Sequence, residues 1–279
     1  MPNEALYVYG VVKFGVERER AVTCESEPLA RSFTRTHVPD LDWREAGING
    51  KNVNTISENS FSALVHNCEE KPYISEEPNK IKELIIAHNK VLDNAMKHFD
   101  GVIPLHFNTI IKKGENSSQD NLKKWINDNK ERLEKIWNKI ESKKEYGIRI
   151  YYDKEKLVQE VSSSKEIENI QGQEGKSVGL SYLLQSKAKN KINEIVWDKV
   201  NELKNKFYSD IKKVTNDLKI NPSRIFIDEE KDLLLSLSIL VDERQMPKIK
   251  RILEQKVGND FSFQLTGPFA PYSFVDDEK

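Results

Sequence analysis

The sequence predicts an α+β protein of two domains, on three observations. Short apolar or alternating runs that read as strands recur along the chain, at residues 5–12, 146–152, 233–241 and 261–265. Between them lie segments whose apolar residues return every three or four positions, read as helices, at 79–99, 119–142, 180–218 and 246–257. At 279 residues the chain is long for one core and comfortable for two.

Residues 5–12 are rich in β-branched and aromatic side chains and form the first strand. Residues 18–43 read as irregular chain, with a short strand at 21–24. A hairpin follows, 52–56 and 61–65 flanking the turn formers Ser57, Glu58, Asn59 and Ser60. Helix 79–99 carries Ile81, Leu84, Ile85, His88, Leu92, Ala95, Met96 and Phe99 on one stripe, with Asn79 as its N-cap and Gly101 as its stop. Residues 102–111 read as one extended run. Pro104 cannot donate to a ladder, so this strand lies at an edge or is bulged there. The N-terminal domain, 1–116, thus has the order β-ββ-α-β, a reduced ferredoxin-like unit.

The C-terminal domain, 117–279, opens on helix 119–142 with Trp125 and Trp137 on one face, read as core packing. Strand 146–152 and a short helix at 154–161 follow, then a polar, glycine-rich loop at 162–179. The pattern at 180–218 exceeds the usual helix length, which predicts a kink or a free end. Residues 225–227 and 233–241 pair as a hairpin across an acidic turn. Pro247 suits the first turn of helix 246–257 and Gly258 its stop. Phe261, Phe263 and Leu265 alternate on one strand face. The order is β-α-β-β-α-β, a modified ferredoxin-like unit with long helices.

Composition narrows function. The 44 basic and 45 acidic residues give a net charge of −1, which argues against a dedicated nucleic-acid binder. No apolar run reaches the ~20 residues of a membrane span. The N-terminus lacks a targeting pattern, and Cys24 and Cys68 read as reduced thiols, so the expected location is cytoplasmic.

Motifs for chemistry are weak. Residues 172–177 (Gly-Gln-Glu-Gly-Lys-Ser) miss the phosphate-loop spacing, since Ile170 stands where a glycine is required, and read as a linker. His37, His66, His88, His98 and His106 show no zinc-binding spacing, and His88 reads as a hydrogen-bonded packing residue. No carboxylate pair or nucleophile motif points to an enzyme, and no cofactor is expected.

Several segments together resemble the gas vesicle proteins of the F/L type. They are Leu6-Tyr7-Val8-Tyr9-Gly10, a helix bearing His88, and Val102-Ile103-Pro104-Leu105-His106-Phe107-Asn108-Thr109 against the family's V-x-P-L-R-F-G-T. Glu145 to Ile150 and Gly179 to Leu183 follow, and Gly267-Pro268-Phe269-Ala270-Pro271-Tyr272-Ser273-Phe274 is similar to the family's G-P-W-P-P-Y-S-F ending. His106, Asn108, Phe269 and Ala270 depart from the pattern. Asn108 still tolerates a left-handed backbone.

The resemblance implies a non-enzymatic accessory protein of gas vesicle assembly that binds the hydrophobic shell protein, other accessory proteins, or both, and prevents aggregation. It also implies two α+β domains and a place at the gas vesicle, some members staying as minor components. The motif residues it marks as structural or partner-binding are Tyr7, Tyr9, His88, Pro104, Leu105, Phe107, Thr109, Gly267, Pro268, Pro271, Tyr272 and Phe274. Shielding a shell subunit calls for a groove or a free sheet edge. The edges expected are 6–12 and 102–111, with the N-terminal domain meeting the shell protein. The competing reading is a small-molecule-binding regulatory protein built from paired ferredoxin-like domains.

Overall fold

The computed structural model describes residues 5–13, 47–171, 178–222, 232–255 and 261–275. The chain parts into two compact units, Met1–Lys143 with Phe269–Lys279, and Lys144–Pro268.

The first unit holds β1 (Ala5–Lys13), β2 (Asn54–Glu58), β3 (Phe61–Cys68), α1 (Pro78–His98), β4 (Ile103–Pro104), β5 (Ile110–Ile111), α2 (Ser118–Asp128) and α3 (Lys130–Ile140). Its sheet runs β2-β3-β1-β4, with β5 also on β1. β1 is therefore central, and residues 5–12 are all buried. This corrects the expectation that 6–12 offers a free edge. Its partners come from positions 61–68 and 103–111, and such distant pairing leaves no local mark.

Alternation on β3 shows how the sheet is covered. Leu64 packs in the core beneath α1, while Phe61, on the other face, meets Trp137 of α3 edge-on at 6.4 Å. Helices α2 and α3 also lie against β1, β2 and β4. By contact, residues 118–140 thus belong with the first unit, where the sequence reading expected them to open the second. They are also two helices, not one. At Asn129 the backbone leaves helical geometry (φ −102, ψ 11), and its side-chain amide donates to the Trp125 carbonyl at 2.8 Å.

The predicted strand at 102–111 is interrupted. Pro104 pairs with Gly10 on the sheet's outer strand, as its missing N–H requires. The chain then leaves the sheet until Ile110, turning at Asn108, whose φ is 69°. Helix α1 begins at Pro78, ahead of the expected Asn79 cap, and ends at His98, with Phe99 already extended as its C-cap.

A bulge shapes β1. Val8 opposes Val65 and Gly10 opposes Leu64, which leaves Tyr9 without a partner of its own. Gly10 is pressed from two sides. A Cβ there would lie 2.8 Å from the Ile103 carbonyl oxygen and 2.9 Å from Leu92 Cδ2. Gly10→Ala is expected to destabilise the protein by about 1–3 kcal/mol, read as a lower urea midpoint with unchanged slope.

The second unit holds β6 (Lys143–Tyr152), α4 (Lys154–Ser162), α5 (Lys165–Gln171), α6 (Val178–Lys212), β7 (Leu218–Ile220), β8 (Asp232–Asp242), α7 (Met246–Glu254) and β9 (Phe261–Phe269). The closing helix α8 (Tyr272–Val275) belongs to the first unit. The second sheet runs β7-β8-β6-β9. Ile148, Ile150, Leu237, Ile239, Phe207, Ile211, Ile249 and Leu253 join sheet, α6 and α7 in one core.

Two expectations change here. Leu218–Ile220 is a strand on β8 and not the end of the long helix. The supposed partner of β8 at 225–227 lies outside the described residues, as do 172–177 and Gly258. The loop expected at 162–179 contains α5, held by the fully buried Ile167 against α4 and α6. Helix α6 is continuous over its 35 residues, its first half held by α4 and α5 through Leu157, Val161, Ala188 and Val196. Among the described residues no helix is long and apolar enough to cross a membrane.

Candidate functional site

Five of the motif residues, Tyr7, Tyr9, His88, Phe107 and Tyr272, converge beneath α1. Tyr7 and Tyr9, two apart on β1, project toward the same side, their rings 4.9 Å apart and edge-on. His66 stands opposite Tyr7 on β3 and stacks on its ring at 5.0 Å. His88 comes from the apolar stripe of α1, and Phe107 closes against both Tyr7 and His88 at 6.3 and 6.0 Å. Tyr7, Tyr9 and His66 are fully buried, and His88 is 1% exposed.

Burial obliges each polar atom to find a partner. The Asn108 main-chain N–H donates to the Tyr7 hydroxyl at 3.2 Å. That hydroxyl keeps its own hydrogen for His88 Nδ1, at 2.8 Å. Nδ1 then accepts, so the neutral ring carries its proton on Nε2 and gives it to the Tyr272 hydroxyl at 2.9 Å. Tyr272 in turn donates to Asn89 Oδ1 at 3.0 Å.

A second relay runs in the same sense. The Ile48 N–H donates to the Tyr9 hydroxyl at 2.9 Å, Tyr9 to His66 Nδ1 at 2.8 Å, and His66 Nε2 faces the Tyr73 hydroxyl at 2.9 Å. Asn108 links the two. Its side chain accepts from the Tyr73 N–H at 2.8 Å and donates to the Tyr73 carbonyl at 3.0 Å.

Electrostatics agrees with this proton placement. Burial, helped by the Lys51 charge, lowers the His66 pKa to about 4. Burial lowers His88 to about 4 as well, against an opposing effect of the Leu105 backbone. Burial pushes the Tyr7, Tyr9 and Tyr272 hydroxyls well above their ordinary range. Both imidazoles are thus neutral near pH 7 and have both nitrogens engaged. The arrangement is a set of ties joining β1, β3, α1, the 105–109 turn and the C-terminal tail.

The remaining motif residues fall in three places. The Leu105 N–H bonds the Tyr9 carbonyl at 2.9 Å, and the Thr109 carbonyl accepts from the Val8 N–H at 2.9 Å, so this segment docks on β1 through its backbone. The Pro271 carbonyl accepts from the Phe274 N–H at 3.0 Å, and the buried Phe274 ring lies 5.6 Å from the Lys139 ammonium. Gly267 and Pro268 belong to the second unit. Gly267 takes φ 117°, and a Cβ there would sit 2.9 Å from the Glu145 carbonyl oxygen.

The sequence reading missed His66, Tyr73, Ile48 and Asn89 as members of the network. A histidine alternating with Leu64 on a strand face was a visible sign. Tyr73 lay in an irregular loop and carried none. Among the described residues no group of three or more His, Cys, Asp or Glu is placed to hold a metal ion. Tyr272→Phe is expected to cost about 1–3 kcal/mol, because His88 Nε2–H keeps its burial and loses its acceptor. The urea midpoint measures this.

The family model described as gas vesicle synthesis protein GvpL/GvpF matches residues 5–276. Gas vesicle protein L of Haloferax mediterranei is 26% identical over 245 residues, 85% of this chain and 74% of that protein. Gas vesicle protein L1 of Halobacterium salinarum is 24% identical over 241 residues, 83% of each. The crystal structure of the gas vesicle protein GvpF from Anabaena sp. PCC7120 superposes with a TM-score of 0.69 at 17% identity, covering 99% of this chain and all of that one, a likeness of fold. The tyrosine–histidine core thus lies inside a match that spans nearly every residue, and the chain belongs to the gas vesicle synthesis protein GvpL/GvpF family.

Proposed function

We propose that this protein acts in gas vesicle assembly as a non-enzymatic partner that binds the hydrophobic shell protein, other accessory proteins, or both, and keeps the shell protein from aggregating. The family match over residues 5–276 carries this reading. It is supported by the internal use of the polar core groups, which are taken up in holding segments together. Both sheets run in the order second, third, first, fourth strand of their unit, which supports reading each as ferredoxin-like. The surface we assign to the shell protein is on the first unit, within the 102–111 edge at β5, whose Ile110 and Ile111 are half-buried; Pro104 in the buried β4 limits strand addition there and counts against that end of the edge.

The test is co-expression of the full chain with the shell protein. Shell protein that stays in the supernatant and co-elutes with this chain supports the reading. Shell protein that pellets equally with and without the chain refutes it.

One observation favours a small-molecule reading. A cleft of about 260 Å³ lies between α4 and α6, lined by Tyr152, Leu157, Leu203, Phe261 and the Lys199–Glu160 pair. It is smaller than the ~300–1,000 Å³ of ordinary ligand pockets, which places this reading second. Thermal shifts across a metabolite panel test it.

A further inference from the structure

Helix α6 leaves one long face uncovered. Leu183 is 64% exposed and Trp197 is 68% exposed, both large apolar side chains on a well-packed helix. They are fourteen residues apart, four turns or ~21 Å along the axis. Midway between them lies Asn190, also exposed.

At ~100° per residue, Leu183, Asn190 and Trp197 fall within about 20° of one line along the helix. Lys187 and Glu194 flank that line on one side, Ser186 and Asn193 on the other, and all four are exposed. The arrangement complements itself. Turned end for end about Asn190, the face sets Leu183 against Trp197 of a second helix at both ends of the seam. Lys187 then comes opposite Glu194 on one flank, and Ser186 opposite Asn193 on the other. A parallel pairing would instead set the Lys187–Glu194 flank of one helix against the Ser186–Asn193 flank of the other, with no unlike charges facing across the seam. Unlike charges across such a seam attract, so the face favours the antiparallel orientation. A two-fold axis of this kind makes each contact occur twice.

We propose that this face of α6 is the interface of an antiparallel homodimer, a second copy of the chain being its occupant. Two apolar pairs flanked by polar ones make a seam narrower than a standard interface of ~800 Å² per partner, so the association is weak, with a dissociation constant in the micromolar range. The proposal is independent of which surface meets the shell protein.

The test is sedimentation equilibrium of the full chain from about 1 to about 500 µM, a span that brackets such constants. The wild type should pass from monomer to dimer. Lys187→Glu and Glu194→Lys should each weaken dimerisation at least tenfold, and the double exchange should restore it. Asn190→Cys should form a reducible dimer under oxidation that the wild type, with its native cysteines, does not. These positions are exposed, and an unchanged circular dichroism spectrum checks folding. A wild type that stays monomeric throughout, or a dimer indifferent to charge reversal, overturns the proposal.

Discussion

His88→Ala should lower the stability of the first unit by about 3–5 kcal/mol, the largest loss expected of a single side chain here. Two effects combine. The ring is buried among Tyr7, Tyr9 and Phe107, so its removal opens a cavity. The Tyr7 hydroxyl also loses the acceptor at 2.8 Å while remaining buried. His88→Phe separates the two, because it refills most of the volume and leaves the donor stranded. If the relay matters, His88→Phe should still cost about 1–3 kcal/mol, the price of an unsatisfied buried hydroxyl. Urea denaturation monitored by tryptophan fluorescence measures both. Equal stability of His88→Phe and the wild type would reduce the network to a packing feature.

Acid should weaken the protein well before its carboxylates titrate. His66 and His88 have folded pKa values of about 4, below the unfolded value near 6.5. Between these values the unfolded chain binds the extra protons. Stability is therefore complete above pH 6.5 and is lost as pH falls toward 4. At about 1.4 kcal/mol per pH unit the loss is roughly 3 kcal/mol for each histidine. Urea midpoints from pH 7.5 to 4.5 follow it. A chain lacking both imidazoles should show a flatter profile in that window, although it starts from a lower stability. A wild-type midpoint constant over that range would mean that the rings titrate in the fold as they do in the unfolded chain.

What could be read from the sequence was what is periodic over a few turns or residues. Helix 79–99 and the position of His88 on its buried stripe were plain, because a 3.6-residue period is local. So was the hairpin around Asn59, which takes the positive φ of a tight turn. The central place of β1 was not, since its neighbours come from 50 to 100 positions away and its apolar run suits an edge or a centre alike. The break at Asn129 depends on one side chain returning to one carbonyl, which no periodicity marks. Helix α5 was hidden because its anchors are a buried Ile167 and a half-buried Ile170, too few for a period to show. Of the network, Tyr7, His88 and Tyr272 of the first relay lay in family-like motifs, although the bonds between them did not show, whereas the Tyr9–His66–Tyr73 branch required the register of β3 on β1.

The bond from His88 to Tyr272 joins positions 184 residues apart. A ribosome adding ~5–20 residues per second needs about ten to forty seconds to cover that distance. Throughout that interval the nascent chain carries its early sheet and helix with Nε2 still waiting for its hydroxyl. The opening half of this protein is therefore completed late, and a chain that stopped short of Tyr272 would leave its earliest-made part incomplete.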